Sequence, residues 1–353
     1  MTFLREILTF QNNVVHLHLE FTSRNQTIHS IRHSLNKLIV RRLCMIQAVL
    51  CFVLLSPSEA VAQEGVAEQR TGVSLSGGGA LSLAHIGVLE ALDSSGVKID
   101  CITGCSFGAL VAVLYAEGYS PDDIYRIFKK EKVHRVVSLY RPNCKITSGV
   151  VSNKHLKRKL AKYLPHNSFD SLKIKFYCSV TDMDSNCVRY VGSGGHLVEY
   201  VIASLSLPGL FPPVKIDDVY YLDGGSQDMM PWKPLVEENC TRRIGAYPIL
   251  CKPQKVTTTR FLWTRAYNNI FYQTILRESS QFNELIAIDP GTYGVLSFKR
   301  MAELRQYGFS QTLEALKAYE ENRKNLSPGA EPAAKDRASE APTSATARET
   351  DGD

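Results

Sequence analysis

The chain has 353 residues, 44% hydrophobic and 22% charged, with 41 Lys and Arg against 35 Asp and Glu for a net charge of +6. This balance excludes a wholly disordered chain, a collagen-like or coiled-coil fibre and a polybasic nucleic-acid binder. No apolar run reaches 18 residues, so no segment reads as a membrane span, and the nine cysteines include no C-x-x-C pair that would suggest a structural metal.

Residues 43–55 form a short apolar stretch, preceded by Lys37, Arg41 and Arg42 and followed by Ala60-Val61-Ala62. A positive region, a short apolar region and an A-x-A ending predict a signal peptide cut after Ala62. The expected location is therefore secreted or periplasmic. Residues 1–62 read as leader and signal peptide, 63–71 as a short linker, 72–324 as one domain and 325–353 as a disordered tail rich in Pro, Ala, Ser and Thr. An uncleaved leader is the competing reading of the apolar stretch.

Val73–Ser76 reads as a strand, followed by Gly77-Gly78-Gly79 and a helix over Leu81–Ser94 with Leu83, Ile86, Val88, Leu89 and Leu92 apolar. A second strand, Ile99–Thr103, leads into a tight turn, Gly104–Gly108, and an almost wholly apolar helix, Ala109–Glu117. Ser120-Pro121-Asp122-Asp123 reads as a capped helix start. Strands are expected at Ile174–Val180, Val188–Val191, Val219–Leu222 and Arg243–Leu250, and helices at Leu197–Leu205, Leu262–Phe282 and Phe298–Asn322. Alternating strands and helices predict an α/β fold with a largely parallel sheet.

Three segments carry residues suited to chemistry. Gly104-Cys105-Ser106-Phe107-Gly108 has the G-x-S-x-G form between a strand and a helix. A serine on so sharp a turn exposes its hydroxyl near the positive end of a helix dipole, and Gly104 and Gly108 let the turn close. Ser76-Gly77-Gly78-Gly79 offers backbone N–H groups that could hold a phosphate or an oxyanion. A dinucleotide site would need a third glycine, where Ser82 stands. Asp223, with Gly224 and Gly225, ends a strand, where α/β active sites gather. A serine nucleophile needs a base. None of the nine histidines follows Asp223, so a Ser–Asp–His order is impossible and His85 reads as structural. The economical reading is a Ser106–Asp223 dyad, with a structural turn aspartate as the alternative.

The runs Ser74–Gly79, Ala84–Leu89, Ile102–Leu110, Ala203–Val214 and Leu222–Gly225 with Pro231 resemble patatin-like phospholipases of the bacterial, secreted type. The resemblance covers roughly residues 72–310. It implies a three-layer α/β/α sandwich with a mostly parallel central sheet. It also implies a Ser106–Asp223 dyad acting on acyl esters of lipids, and an oxyanion hole in the Gly77–Gly79 loop. The family's glycine motif carries a basic residue and a last glycine where this chain has Leu81 and Ser82. Cys105 and Phe107 replace the more usual Thr and Met, and Met230 stands where Asn is common before Pro231.

The expected function is a serine acyl hydrolase of phospholipid or lysophospholipid with no metal or organic cofactor. The alternatives are a catalytically weak lipid-binding member of the same fold and a general short-chain esterase. The stretch 126–162, with 12 basic residues and one acid, Glu131, could face a membrane surface, although a solvated helical face explains it as well. Oligomeric state is not legible.

Overall fold

The computed structural model describes residues 69–133, 153–209, 211–249, 251 and 259–325. The expected leader and signal peptide, most of the linker, and the tail beyond Asn325 lie outside the described residues. The central strands are β1 (Thr71–Leu75), β2 (Cys101–Gly104), β3 (Lys175–Asp182), β7 (Arg242–Tyr247) and β8 (Glu284–Ala287). They run parallel in the order β3-β2-β1-β7-β8. Three short strands, β4 (Cys187–Val191), β5 (Val214–Ile216) and β6 (Val219–Asp223), add antiparallel pairs around β3. β1 is buried along its whole length, as a central strand covered on both faces must be.

Helices cover both faces, so the arrangement is a three-layer α/β/α sandwich. Val73, Leu75, Ile102, Phe176, Ile244 and Ile286 point into one core. That core is closed by α1 (Ala84–Ser94), α2 (Phe107–Glu117), α3 (Pro121–Lys130), α4 (Asn153–Leu160), α5 (Leu197–Ser204) and α8 (Met301–Asn325). Residues of alternate parity, Cys101 and Tyr247 among them, point to a second, smaller core. Among the described residues α6 (Lys233–Glu237) and α7 (Thr259–Glu278) close it.

Local chemistry accounts for most boundaries. In α2, nine of eleven residues are buried, which suits its apolar sequence. In α3, Ser120 Oγ accepts from Asp123 N at 3.2 Å, while Asp123 Oδ2 accepts from Ser120 N at 3.3 Å, so the cap is reciprocal. The first helix begins later than its periodicity predicts. Gly79–Leu83 winds as a 3-10 turn because Ala80 N donates to Val295 O at 2.8 Å and Ser82 Oγ to Ser76 O at 3.3 Å. β8 lies just beyond the residues expected to be helical. Its four residues alternate buried and exposed, too short a pattern to read in sequence.

α8 packs directly on α1 through two glycines. A Cβ on Gly87 would lie 1.9 Å from Arg305 O, and one on Gly308 1.9 Å from Ala84 O. Arg305 then holds Glu90 at 2.8 Å and Asp122 at 3.1 Å across three helices. Gly87→Val must push α8 outward. It is expected to lower stability by at least about 1–3 kcal/mol, read as a lower midpoint in chemical denaturation. An unchanged midpoint would contradict this close approach.

Candidate active site

The site sits on the edge of β3. Val180–Asp182 pair with both β4 and β6, and Cys178 pairs with both Gly104 of β2 and Val191 of β4. β2 and β6 therefore share one edge of β3 and meet end to end. Gly104 lies opposite Cys178 and Asp223 opposite Val180, only two residues further along. This brings the turn after β2 and the end of β6 together across a sequence separation of more than a hundred residues.

Ser106 caps α2 with φ 52° and ψ −128°, a conformation that L-residues rarely adopt. Neighbours hold it there. Cβ atoms on Gly108 and Gly104 would lie 2.3 Å from Leu75 O and 2.6 Å from Ala109 Cα, so the elbow closes only around glycines. Ser106 N donates to Ser204 Oγ at 2.8 Å. Ser204, fully buried at the end of α5, is a site residue that sequence reasoning passed over. Its signal, an isolated serine on a helical face, is too common to single out.

Asp223 is buried. Its Oδ1 accepts from Gly225 N at 2.9 Å and from the Cys105 thiol at 3.5 Å, and the neighbouring Ser106 hydroxyl favours its charged form. Burial pushes its pKa up to about 6, against the opposing pull of these hydrogen bonds. Among the described residues no cation acts on it. Gly224 fits because a Cβ there would lie 2.7 Å from the Ser179 backbone. Asp223 N donates to Ser206 O at 3.1 Å, and Asp223 O accepts from Thr181 Oγ1 at 2.9 Å.

The glycine loop lies alongside. A Cβ on Gly77 would meet that of Ser106 at 3.0 Å. Gly78 and Gly79 have φ of 153° and 57°. Gly77 N donates to Met229 O at 3.4 Å, so among the described residues only the Gly78 and Gly79 N–H groups of the three remain unpartnered. Asp228, a buried carboxylate the sequence reading also passed over, accepts from Met230 N at 2.9 Å and Tyr190 OH at 2.6 Å, fixing the turn that carries Met229.

His85 is structural, as expected. It is fully buried, burial lowers its pKa to about 4, and the neutral ring donates from Nε2 to Ser76 O at 2.8 Å. Ser82 donates to the same carbonyl, and Leu81 is buried in the larger core. The two departures in the glycine motif therefore support the loop rather than deform it. The described cysteines are free thiols, and no cluster of His, Cys, Asp or Glu among the described residues could hold a metal.

A family model described as Patatin-like phospholipase matches residues 73–236. Those residues form a patatin-like phospholipase domain. The chain is 35% identical over 175 residues to lysophospholipase NTE1 of Kluyveromyces lactis, covering 49% of this chain and 12% of that protein. It is 33% identical over 175 residues to lysophospholipase NTE1 of Saccharomyces cerevisiae, covering 49% and 10%. The chain thus spans only about a tenth of the length of these curated relatives. Among solved structures, VipD from Legionella pneumophila aligns with a TM-score of 0.47 and 16% identity over 71% of this chain and 67% of that one. ExoU of Pseudomonas aeruginosa, in complex with SpcU, aligns with a TM-score of 0.43 and 15% identity over 71% and 53%.

The patatin-like relatives correct the expected location. The sequence relatives are fungal lysophospholipases NTE1, which overturns the expected secreted or periplasmic location, and residues 43–62 lie outside the described residues. The physical reason is that a short apolar stretch behind basic residues and before small ones is a compositional pattern. An uncleaved leader satisfies it equally.

The expected basic stretch is ion-paired in part where it is described. Arg126 pairs with Asp122, Lys157 with Glu199 at 2.6 Å, and Lys159 with Glu131 at 3.1 Å. Residues 134–152 lie outside the described residues.

The raised pKa of Asp223 makes a stability prediction. A carboxyl whose pKa rises from 3.8 to about 6 on folding binds its proton more tightly when folded, so stability falls as pH rises through that window. Asp223→Asn removes the buried charge and keeps an acceptor for Gly225 N. It should raise the denaturation midpoint above wild type at pH 8, with the gain fading as pH falls towards 4. A variant less stable at pH 8 would contradict the assignment.

Proposed function

We propose that the patatin-like domain hydrolyses carboxylic esters of phospholipid or lysophospholipid through a Ser106–Asp223 dyad. The observation that carries this reading is the meeting of the strained Ser106 elbow with the buried end of β6, where Asp223 lies beside Cys105 and burial pushes its pKa up to about 6. A carboxylate at its usual value is a weak base. Burial without a countercharge brings Asp223 towards the working pH, where general-base catalysis is effective.

Ser106 Oγ attacks the ester carbonyl carbon and gives its proton to Asp223. The carbonyl oxygen becomes an oxyanion held by the Gly78 and Gly79 N–H groups, with the N-terminal end of α2 beside it. Collapse breaks the ester bond, and Asp223 returns the proton to the departing alcohol. A water then repeats the sequence on the acyl-enzyme, with Asp223 taking its proton, and releases a carboxylic acid and free Ser106. The name of the fungal relatives supports single-chain lipids among the substrates. The intact contacts of Leu81 and Ser82 argue against a non-catalytic member of the fold.

The test is hydrolysis of nitrophenyl esters of graded chain length and of lysophosphatidylcholine by the full chain, beside Ser106→Ala and Asp223→Ala. Both variants should lose at least ~10³-fold in kcat/KM while keeping wild-type circular dichroism. Wild-type kcat/KM should rise with pH through about 6, because Asp223 accepts a proton only as the carboxylate. A folded wild type as inert as its variants would sink the proposal. A marked preference for short chains would turn it towards a general esterase.

A further inference from the structure

One loop outside the site touches both the glycine loop and the Ser106 turn. Residues 288–300 join β8 to α8 and lie beyond residues 73–236, which the family model matches. Within this loop Val295 O accepts from Ala80 N at 2.8 Å. A Cβ on Gly79 would lie 2.6 Å from that same carbonyl oxygen, so the Val295 backbone presses on Gly79 itself. Three residues further on, the buried Phe298 ring stands 5.1 Å from the ring of Phe107, the residue after Ser106.

The loop is built, not slack. Ser297 N donates to Gly294 O at 2.9 Å, Gly294 N to Ser297 Oγ at 3.0 Å and Tyr293 N to Pro290 O at 3.2 Å. The Tyr293 ring stacks on Tyr307 of α8 with centroids 6.1 Å apart, and the Arg300 guanidinium lies 5.7 Å from the Tyr293 ring. α8 is in turn fixed on α1 by the close approach at Gly87 and Gly308. Val295 therefore sits between two anchors, Tyr293 before it and Phe298 after it.

The glycine loop needs such a support. Gly78 and Gly79 take φ of 153° and 57° and have no side chains to pack, so their conformation must be imposed by neighbours. At one end His85 and Ser82 hold the Ser76 carbonyl. At the other end Val295 O holds the Ala80 N–H. An oxyanion is stabilised by donors already aimed at it, and a displacement of ~1 Å can cost on the order of 10²-fold in rate. We infer that Val295 and Phe298 are positioning residues: Val295 fixes the Gly78 and Gly79 donors through Ala80, and Phe298 ties that support to the Ser106 turn through Phe107. The inference rests on the ester-hydrolase reading for its effect on rate, and its test separates the two.

The full chain is compared with Phe298→Ala, Phe298→Leu and Tyr293→Leu by hydrolysis of nitrophenyl butyrate. Hydrogen exchange of the peptide containing Ala80 is followed in parallel, with a β3 peptide as internal control. Phe298→Ala should lower kcat at least ~10-fold with KM within ~2-fold, because a misplaced oxyanion donor is felt in the transition state and not in the bound substrate. Phe298→Leu keeps most of the bulk and should recover kcat to within ~3-fold of wild type. Tyr293→Leu frees the other end of the loop and should lower kcat as Phe298→Ala does. In both impaired variants the Ala80 peptide should exchange faster than in wild type, while the β3 peptide does not. Wild-type kcat and exchange in folded Phe298→Ala overturn the inference. So does a loss carried by KM, which would make Phe298 a substrate contact, and so does faster exchange in both peptides alike, which would make its role global. If Phe298→Ala does not fold, Tyr293→Leu decides by the same readouts. If wild type turns over no ester, exchange alone decides: acceleration confined to the Ala80 peptide upholds the clamp and refutes the hydrolase, and no acceleration overturns the clamp as well.

Discussion

The site depends on the hydrogen-bonding edge of β3. That edge accepts β2 for four residues and then, after a one-residue gap, β6 from the opposite direction. Two strand ends are thereby forced to face each other. One must turn sharply into α2, which throws Ser106 into a positive-φ elbow. The other ends at Asp223, whose backbone is clamped by Ser206 and Thr181. The strain at Ser106 persists because the surroundings leave no alternative: a glycine on either side, the Leu75 carbonyl against Gly108 and the Ser204 hydroxyl on its N–H. Rigid pairing thus fixes where Ser106 and Asp223 stand relative to each other.

Electrostatics at this meeting point follow from what is missing around Asp223. Among the described residues no Lys or Arg acts on it, and His85 of α1, which hydrogen-bonds the Ser76 carbonyl, is held neutral by its own burial. The basic residue expected in that loop is replaced by Leu81, which lies in the core. Stabilisation of negative charge on a substrate would therefore fall to backbone N–H groups and the start of α2. These groups are fixed before any substrate arrives, so no reorganisation is needed when charge develops. A cation nearby would lower the pKa of Asp223 and weaken it as a base.

Much of this was legible in the sequence, for reasons that differ by element. The G-x-S-x-G turn, the three glycines and the strand ending at Asp223 stand out because each needs a residue type that its steric surroundings dictate. Absence of any histidine after Asp223 removed the usual triad without structural help. The 3-10 turn at Gly79–Leu83 was not legible, because it depends on Val295, more than two hundred residues away. Ser204 and Asp228 act through single hydrogen bonds across the fold and leave no periodic trace. β8 is four residues long and sits at a sheet edge. The secretory reading failed differently. It rested on composition alone, with no partner residue elsewhere in the chain to test it.

The two faces of the sheet divide the work. Among the described residues six helices crowd one face, and there the Ser106 turn, the neutral His85 and the close α1–α8 crossing form one unyielding block. Among the described residues two helices cover the other, and the longer leaves Leu262, Ile270 and Leu276 exposed. A basic side chain inside the site would be drawn to Asp223 and would lower the pKa of the carboxylate proposed as base.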